Sequence, residues 1–456
     1  MRPLLLVVLF TLVLAACART LAPDFQRLYA QADVPAVQPP LIIIPGILGS
    51  RLAHKDTGVE IWPGGSLRLL THTYNDLALK IDAETLQPQN DDLIATTIAD
   101  RALGRDFYGK LIHTIQAYGG YEKTEPGTKI DQPGRYYYQF AYDWRQDNVI
   151  TARKLDALIR QVRLDHGDPD LQVDIVAHSM GGLIARYYLR YGTEDVLDDA
   201  ELRDIEQVYG TGRIRRLILL GTPNLGSVNA LHGFLKGVKV VRTIPNEVLA
   251  TMPSVYQLFP HSLNQWLVTA EGKKLNRDVF DPRIWRAFGW SVYDPEVQER
   301  VAAGTDSQID IDILQQYFDK RLRRARRFVW SLTQRLPETA VRPIVFGGDC
   351  VLTPARLLVE EVEGESRIRL WPEEISAPIR DMDYSALMLE PGDGSVTRPS
   401  LLGRQALDPS VARHQYIDFP LAYSFFLCEQ HNQLTGNPSF QNNLLQVLLS
   451  HRLSWE

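Results

Sequence analysis

The chain has 456 residues, 45% of them hydrophobic and 23% charged, and a formal net charge of −6. That is the composition of an ordinary globular protein long enough to bury a large core, and the negative balance argues against a nucleic-acid partner. The length admits more than one domain, although α/β folds of this size also run as a single unit.

The N-terminus reads as a targeting segment rather than as part of the fold. One positive charge at Arg2 precedes a nearly all-apolar run from Leu4 to Ala16, which stops at Cys17. The run is too short to span a bilayer as a helix, so residues 1–16 are expected to be a secretory signal peptide. Its end, Leu14-Ala15-Ala16-Cys17, resembles a bacterial lipobox, in which the cysteine becomes the lipidated first residue of the mature protein. The alternative is a plain signal peptide with an incidental cysteine. The small residues before Cys17, and the end of the apolar run there, favour a lipoprotein anchored in the bacterial cell envelope and facing the periplasm. Several acyl chains on one residue would hold it durably, since a single chain binds only marginally. Residues 17–40, with Pro35, Pro39 and Pro40 and little periodicity, read as a lipidated tether.

Strands and helices then alternate. Leu41 to Ile44 is a continuous apolar run ending in Pro45-Gly46, which predicts a strand buried on both faces. Phe107 to Tyr118 carries a helical stripe, Tyr136 to Tyr142 a tyrosine-rich strand, and Thr151 to Asp165 an amphipathic helix. Val173 to His178 and Ile214 to Leu220 are further strands, and Pro343 to Phe346 a short one. A strand around Tyr423 to Cys428 and a helix from about Ser439 to Leu449 close the chain. This alternation predicts an α/β protein with a mostly parallel sheet and helices on both faces. It lapses between Asn224 and Leu336, so the expected organisation is a core at 41–223, an inserted cap or lid at 224–336, and the rest of the core at 337–456.

The most informative stretch is Val173-Asp174-Ile175-Val176-Ala177-His178-Ser179-Met180-Gly181-Gly182. A strand runs into a serine and leaves as a helix, the layout of a nucleophile elbow. Such a turn requires small residues two before and two after the serine, here Ala177 and Gly181. A serine that merely ends a strand in a Gly-rich turn is the bland alternative, and the strand–turn–helix context weighs against it. Serine at neutral pH needs a base and an acid to orient that base, and on this architecture they follow in the order Ser, Asp or Glu, His. The acid candidate is Asp393, between two glycines, with Asp349 as runner-up. The base candidate is His431, on the loop between the last strand and the last helix, with His414 as rival. His178 adjoins the serine and is expected to point away from its hydroxyl. Oxyanion donors are expected from the N–H of Met180 and from Ile47, on the glycine-containing loop after the first strand.

Together these pieces resemble the lecithin:cholesterol acyltransferase family of α/β-hydrolases. The resemblance is carried in order by Ile44-Pro45-Gly46-Ile47-Leu48-Gly49-Ser50-Arg51-Leu52, Ala141-Tyr142-Asp143-Trp144-Arg145, Ala177-His178-Ser179-Met180-Gly181, Gly221-Thr222-Pro223-Asn224-Leu225-Gly226-Ser227, Pro253 to Pro260, Gly392-Asp393-Gly394-Ser395-Val396 and His431. It implies an α/β-hydrolase fold with a cap, a lipid ester (phospholipid foremost) as substrate, and Ser179, Asp393 and His431 as its triad. The resulting expectation is O-acyl transfer or phospholipase and lipase chemistry; the alternatives are a carboxylesterase on small soluble esters and a lipoprotein that binds lipid without turnover.

Three further expectations concern the periphery. Cys350 and Cys428 lie near the ends of strands that flank the site, where they form either a disulfide or two separate small core residues. Lys320 to Arg327 packs six cations into eight residues along an apolar stripe, so Arg323, Arg324, Arg326 and Arg327 are candidate contacts to an anionic lipid surface; the alternative is a solvated face of a helix packed on the core. No metal-ligand spacing and no phosphate-cradling glycine–lysine motif occurs, so no metal and no cofactor are expected.

Overall fold

The computed structural model describes residues 23–29, 37–65, 73–89, 92–102, 105–197, 208–240, 242–303, 310–335, 341–406, 410, 412 and 414–450. The expected signal peptide at 1–16 and Cys17 lie outside them. Seven parallel strands form the central sheet: β1 (Leu41–Ile44), β2 (Glu122–Lys123), β3 (Tyr136–Gln139), β4 (Val173–His178), β5 (Ile214–Leu220), β6 (Ile344–Gly348) and β7 (Tyr423–Leu427). Their spatial order is β7-β6-β5-β4-β1-β3-β2. From β1 the chain passes to the edge strand β2, returns through β3 and then crosses β1 to wind outward through β4, β5, β6 and β7, the arrangement of an α/β-hydrolase.

The apolar runs form strands because both faces of the sheet are covered. Ile42, Ile44, Ile175 and Ala177 enter one core with α2 (Asn148–Asp165) and α3 (Met180–Tyr191). Their neighbours Leu41, Ile43 and Val176 enter a second core with α1 (Gly109–Ala117) and the C-terminal helix Pro438–Leu449. The expected helix at Thr151 to Asp165 begins earlier, because Asp147 caps it by accepting the Val149 N–H at 2.9 Å. The tyrosine-rich strand stops at Gln139, because Tyr142, Trp144 and Arg145 turn inward and are buried.

The expected division at 337 needs correction. Leu267–Thr269 pairs in parallel with Leu357–Val362, which pairs antiparallel with Glu365–Arg369. Val351–Pro354 pairs with Leu389–Gly392. Residues 351–392 therefore extend the cap, held there by the burial of Leu358, Tyr384 and Met388 with Val268. A second insertion, absent from the sequence reading, is the antiparallel sheet of Ser50–His54, Glu60–Trp62 and Leu93–Ile98. The tether is also corrected in part: Phe25–Tyr29 is a short helix whose Tyr29 hydroxyl donates to Asn442 Oδ1 at 3.0 Å.

The basic stretch lies on α4 (Ile311–Ser331), the helix before β6. Its apolar stripe, Leu314, Tyr317, Phe318, Ala325 and Phe328, is core. Of the four candidate lipid contacts, Arg324, Arg326 and Arg327 have partners within the protein. Arg324 joins Asp147 and Asp195, each at 2.8 Å, and Arg326 meets Asp278 at 2.7 Å. Arg327 donates to the Leu197 carbonyl at 2.6 Å, and Arg321 is buried; Arg323 is exposed. Burial opposes ionisation of Asp147, but the Arg324 guanidinium outweighs it and holds the carboxyl below its usual range. Arg324→Met would leave that carboxylate buried without its cation. The expected loss is about 3–5 kcal/mol of unfolding free energy in urea melts at pH 7, against roughly 0.5 kcal/mol or less for Arg323→Gln.

Candidate active site

The serine sits where local geometry demands small neighbours. β4 ends at His178, α3 begins at Met180, and Ser179 between them has φ 53° and ψ −125°. A non-glycine residue reaches that region only under strain, which a tightly packed surround must hold in place. The surround is tight: a Cβ on Gly181 would lie 2.5 Å from the Pro45 carbonyl oxygen, and one on Gly182 would lie 2.0 Å from Thr222 Oγ1. Ser179 N–H donates to the Leu220 carbonyl at 2.8 Å, which fixes the turn to β5.

Three side chains converge there. His431 Nε2 lies 3.0 Å from Ser179 Oγ, and His431 Nδ1 lies 2.8 Å from Asp393 Oδ2. Asp393 follows Leu389–Gly392 and is buried; its Oδ1 accepts the Ser395 and Val396 N–H groups at 2.9 and 2.7 Å. The His431 N–H donates to the Asp393 carbonyl at 2.8 Å, so backbone as well as side chain joins base to acid. The runner-up Asp349 instead pairs with Arg398 at 3.2 Å. His414, the rival base, packs against Tyr416 and accepts its N–H at 3.3 Å. His178 turns its Nδ1 to Tyr108, 2.9 Å away, rather than to the serine.

Residues 132–329 match the family model for lecithin:cholesterol acyltransferase. That is a likeness to the family over this stretch. The stretch contains the Ser179 elbow, α2, α3 and all but the last two residues of α4, and ends before Asp393 and His431. Among solved structures the chain is similar to a Tle4–Tli4 complex, at 15% identity over 90% of this chain and 98% of that one, with a TM-score of 0.53. It is also similar to EstA from Clostridium botulinum (13%, 94% and 91%, TM-score 0.34) and to lipase 1 from Pelosinus fermentans (12%, 91% and 100%, TM-score 0.34). At such identities the first likeness is one of fold. No curated protein matches the sequence.

Within this stretch the Tyr142-Asp143-Trp144-Arg145 block is a buried clamp. Asp143 and Arg145 pair bidentately, with both contacts at 2.9 Å, and Trp144 Nε1 donates to the Ser50 carbonyl at 3.2 Å. Tyr142 donates its hydroxyl to the Pro45 carbonyl at 2.8 Å. The block thereby holds the loop carrying Ile47, and a Cβ on Gly46 of that loop would lie 2.8 Å from Ser179 Cβ. Met180 opens α3, so its N–H has no acceptor inside the helix. Cys350 and Cys428 form a disulfide, Cα–Cα 5.0 Å, which ties the loop after β6 to the approach to His431. A cavity of about 400 Å³ is lined by Ser227, Pro260, Gln265, Arg356, Glu390 and Thr397 among others, and by neither Ser179 nor His431.

The sequence reading missed the supporting tyrosines and the role of His178. The position of Tyr142 in a recognisable block was a signal for one of them; Tyr108 carried none, because its partners are far away in the chain.

Three histidines, His232 and His261 buried and His178 partly so, bear on stability. Burial pushes His178 and His261 down to about 3 and His232 down to about 4, with the neighbouring His431 adding to the shift at His178. Unfolding restores a value near 6.5, so between these limits the unfolded chain binds more protons than the folded one. Stability is therefore complete above about pH 6.5 and falls as the pH drops toward 4. The urea midpoint is expected to decline over that interval, and His261→Phe is expected to flatten the decline.

Proposed function

We propose that this protein is an enzyme that transfers acyl groups from lipid esters through an acyl-serine intermediate. The observation that carries the reading is the unbroken contact from Ser179 Oγ to His431 Nε2 to Asp393 Oδ2, at 3.0 and 2.8 Å. His431 takes the Ser179 proton as the oxygen attacks the ester carbonyl, and Asp393 holds the imidazole with Nδ1 protonated. The N–H groups of Met180 and Ile47 receive the oxyanion. His431 then protonates the leaving alcohol. An acceptor, water or a second alcohol, loses its proton to His431 and releases the acyl group. The lipid substrate is supported by the family of residues 132–329. Triad chemistry is the same for hydrolysis and transfer, so the acceptor is set by what the cap admits.

The test is to incubate purified protein with mixed phospholipids and an added long-chain alcohol, and to identify the products by mass spectrometry. A lysolipid with a fatty acid or an alkyl ester is expected, and Ser179→Ala should yield neither. Turnover of short soluble esters alone would replace the reading with a carboxylesterase. Failure of a fluorophosphonate probe to label the protein would leave only lipid binding.

We propose further that the chain is exported and lipidated at Cys17. Metabolic labelling with a fatty acid should mark the wild type in the membrane fraction, and Cys17→Ser should abolish both label and membrane association.

A further inference from the structure

We infer that Tyr108 is a positioning residue that locks the oxyanion loop and the base to one another through His178; this rests on the acyl-serine reading above. The Gly46 N–H donates to the Tyr108 hydroxyl oxygen at 2.9 Å. The same oxygen lies 2.9 Å from His178 Nδ1. Having accepted from Gly46, Tyr108 gives its own proton to His178. His178 Nδ1 is then an acceptor, so Nε2 carries the ring proton. That nitrogen lies 3.3 Å from the His431 carbonyl oxygen, which can only accept. The donors thus run one way, from Gly46 through Tyr108 and His178 to the backbone of His431.

Both ends of this chain meet the chemistry. At one end a single peptide unit is gripped twice, its Pro45 carbonyl by Tyr142 at 2.8 Å and its Gly46 N–H by Tyr108 at 2.9 Å. The next N–H along the chain is that of Ile47, the oxyanion donor. At the other end the His431 carbonyl is held by His178 while its N–H is held by the Asp393 carbonyl at 2.8 Å. The His178 and His431 rings pack 4.9 Å apart. Burial keeps the Tyr108 phenol well above its ordinary value and His178 well below its own, so both stay neutral and the order of donors holds across the working pH range. A neutral His178 also places no charge beside the imidazolium that forms on His431. An oxyanion donor displaced by a fraction of an ångström loses much of its effect on the transition state while leaving ground-state binding intact.

Tyr108→Phe keeps the ring and deletes the one oxygen that Gly46 and His178 share. His178→Gln keeps a donor for the His431 carbonyl and puts carbon in place of Nδ1, the atom that Tyr108 meets. Each is expected to lower kcat about 10- to 100-fold with KM changed less than about twofold. The double variant is expected to be no more than about twofold slower than the slower single one, because both cut one chain. Fluorophosphonate titration separates positioning from folding: the variants should still label one serine per chain, at a reduced rate. Wild-type kcat in Tyr108→Phe, a change in KM alone, or multiplicative losses in the double variant would each overturn the inference while leaving Ser179 chemistry intact. If Tyr108→Phe does not fold, the kcat and KM of His178→Gln decide by the same limits. Absence of label on the wild-type protein would instead sink the acyl-serine reading itself.

Discussion

Ser179→Ala is expected to lower kcat on any ester substrate by about a million-fold and to abolish fluorophosphonate labelling. The alanine fits, because it removes only the hydroxyl, and Ser179 makes its fold contact through its backbone N–H to Leu220. The variant should therefore melt within a few degrees of the wild type. What is lost is the oxygen 3.0 Å from His431 Nε2. Without it, water must attack unaided except by the oxyanion donors and binding, which by themselves leave about 10³–10⁴-fold over the uncatalysed reaction. Retention of more than about a thousandth of wild-type kcat would mean that the serine is not the nucleophile.

Asp393→Asn should cost about 10⁴-fold in kcat, and the reason is a tautomer rather than a charge alone. Asp393 Oδ1 accepts two backbone N–H groups, from Ser395 and Val396, at 2.9 and 2.7 Å. An asparagine must keep its oxygen there, since an amide NH2 facing two N–H groups would leave all of them unsatisfied in a buried site. The NH2 then faces His431 Nδ1 and donates to it. Nδ1 becomes an acceptor, Nε2 takes the ring proton, and that proton points at Ser179 Oγ. The imidazole can no longer receive the serine proton. Because the backbone pattern is kept, the urea midpoint should move little while kcat collapses. A parallel loss of both would assign Asp393 to folding rather than to the orientation of His431.

Much of the sheet was legible because its signals are local. A buried parallel strand writes itself as a continuous apolar run, and Leu41 to Ile44, Val173 to His178 and Ile214 to Leu220 lie where those runs stand. Ser179 was legible for the same reason: strand, strained turn and helix are neighbours in the chain. Asp393 and His431 were reached through chain order and family resemblance, since neither motif is distinctive by itself. The cap was misjudged where pairing is long-range, as when Leu267–Thr269 takes Leu357–Val362 as its partner. The partners of the α4 cations were not legible, because a stripe and a charge run do not say what lies opposite; Asp147 and Asp195 come from other elements.

The amino-acid sequence alone determined the periodicity of the core, the serine at its turn and the order of the groups that could serve it. Only the tertiary structure decided which histidine meets the serine, that the two cysteines bond, and that Tyr108 links loop to base. The division has a physical cause. Backbone conformation and burial pattern depend on residues within a few positions of one another, whereas a hydrogen bond between Tyr108 and His178, or between His431 and Ser179, depends on where separate strands end.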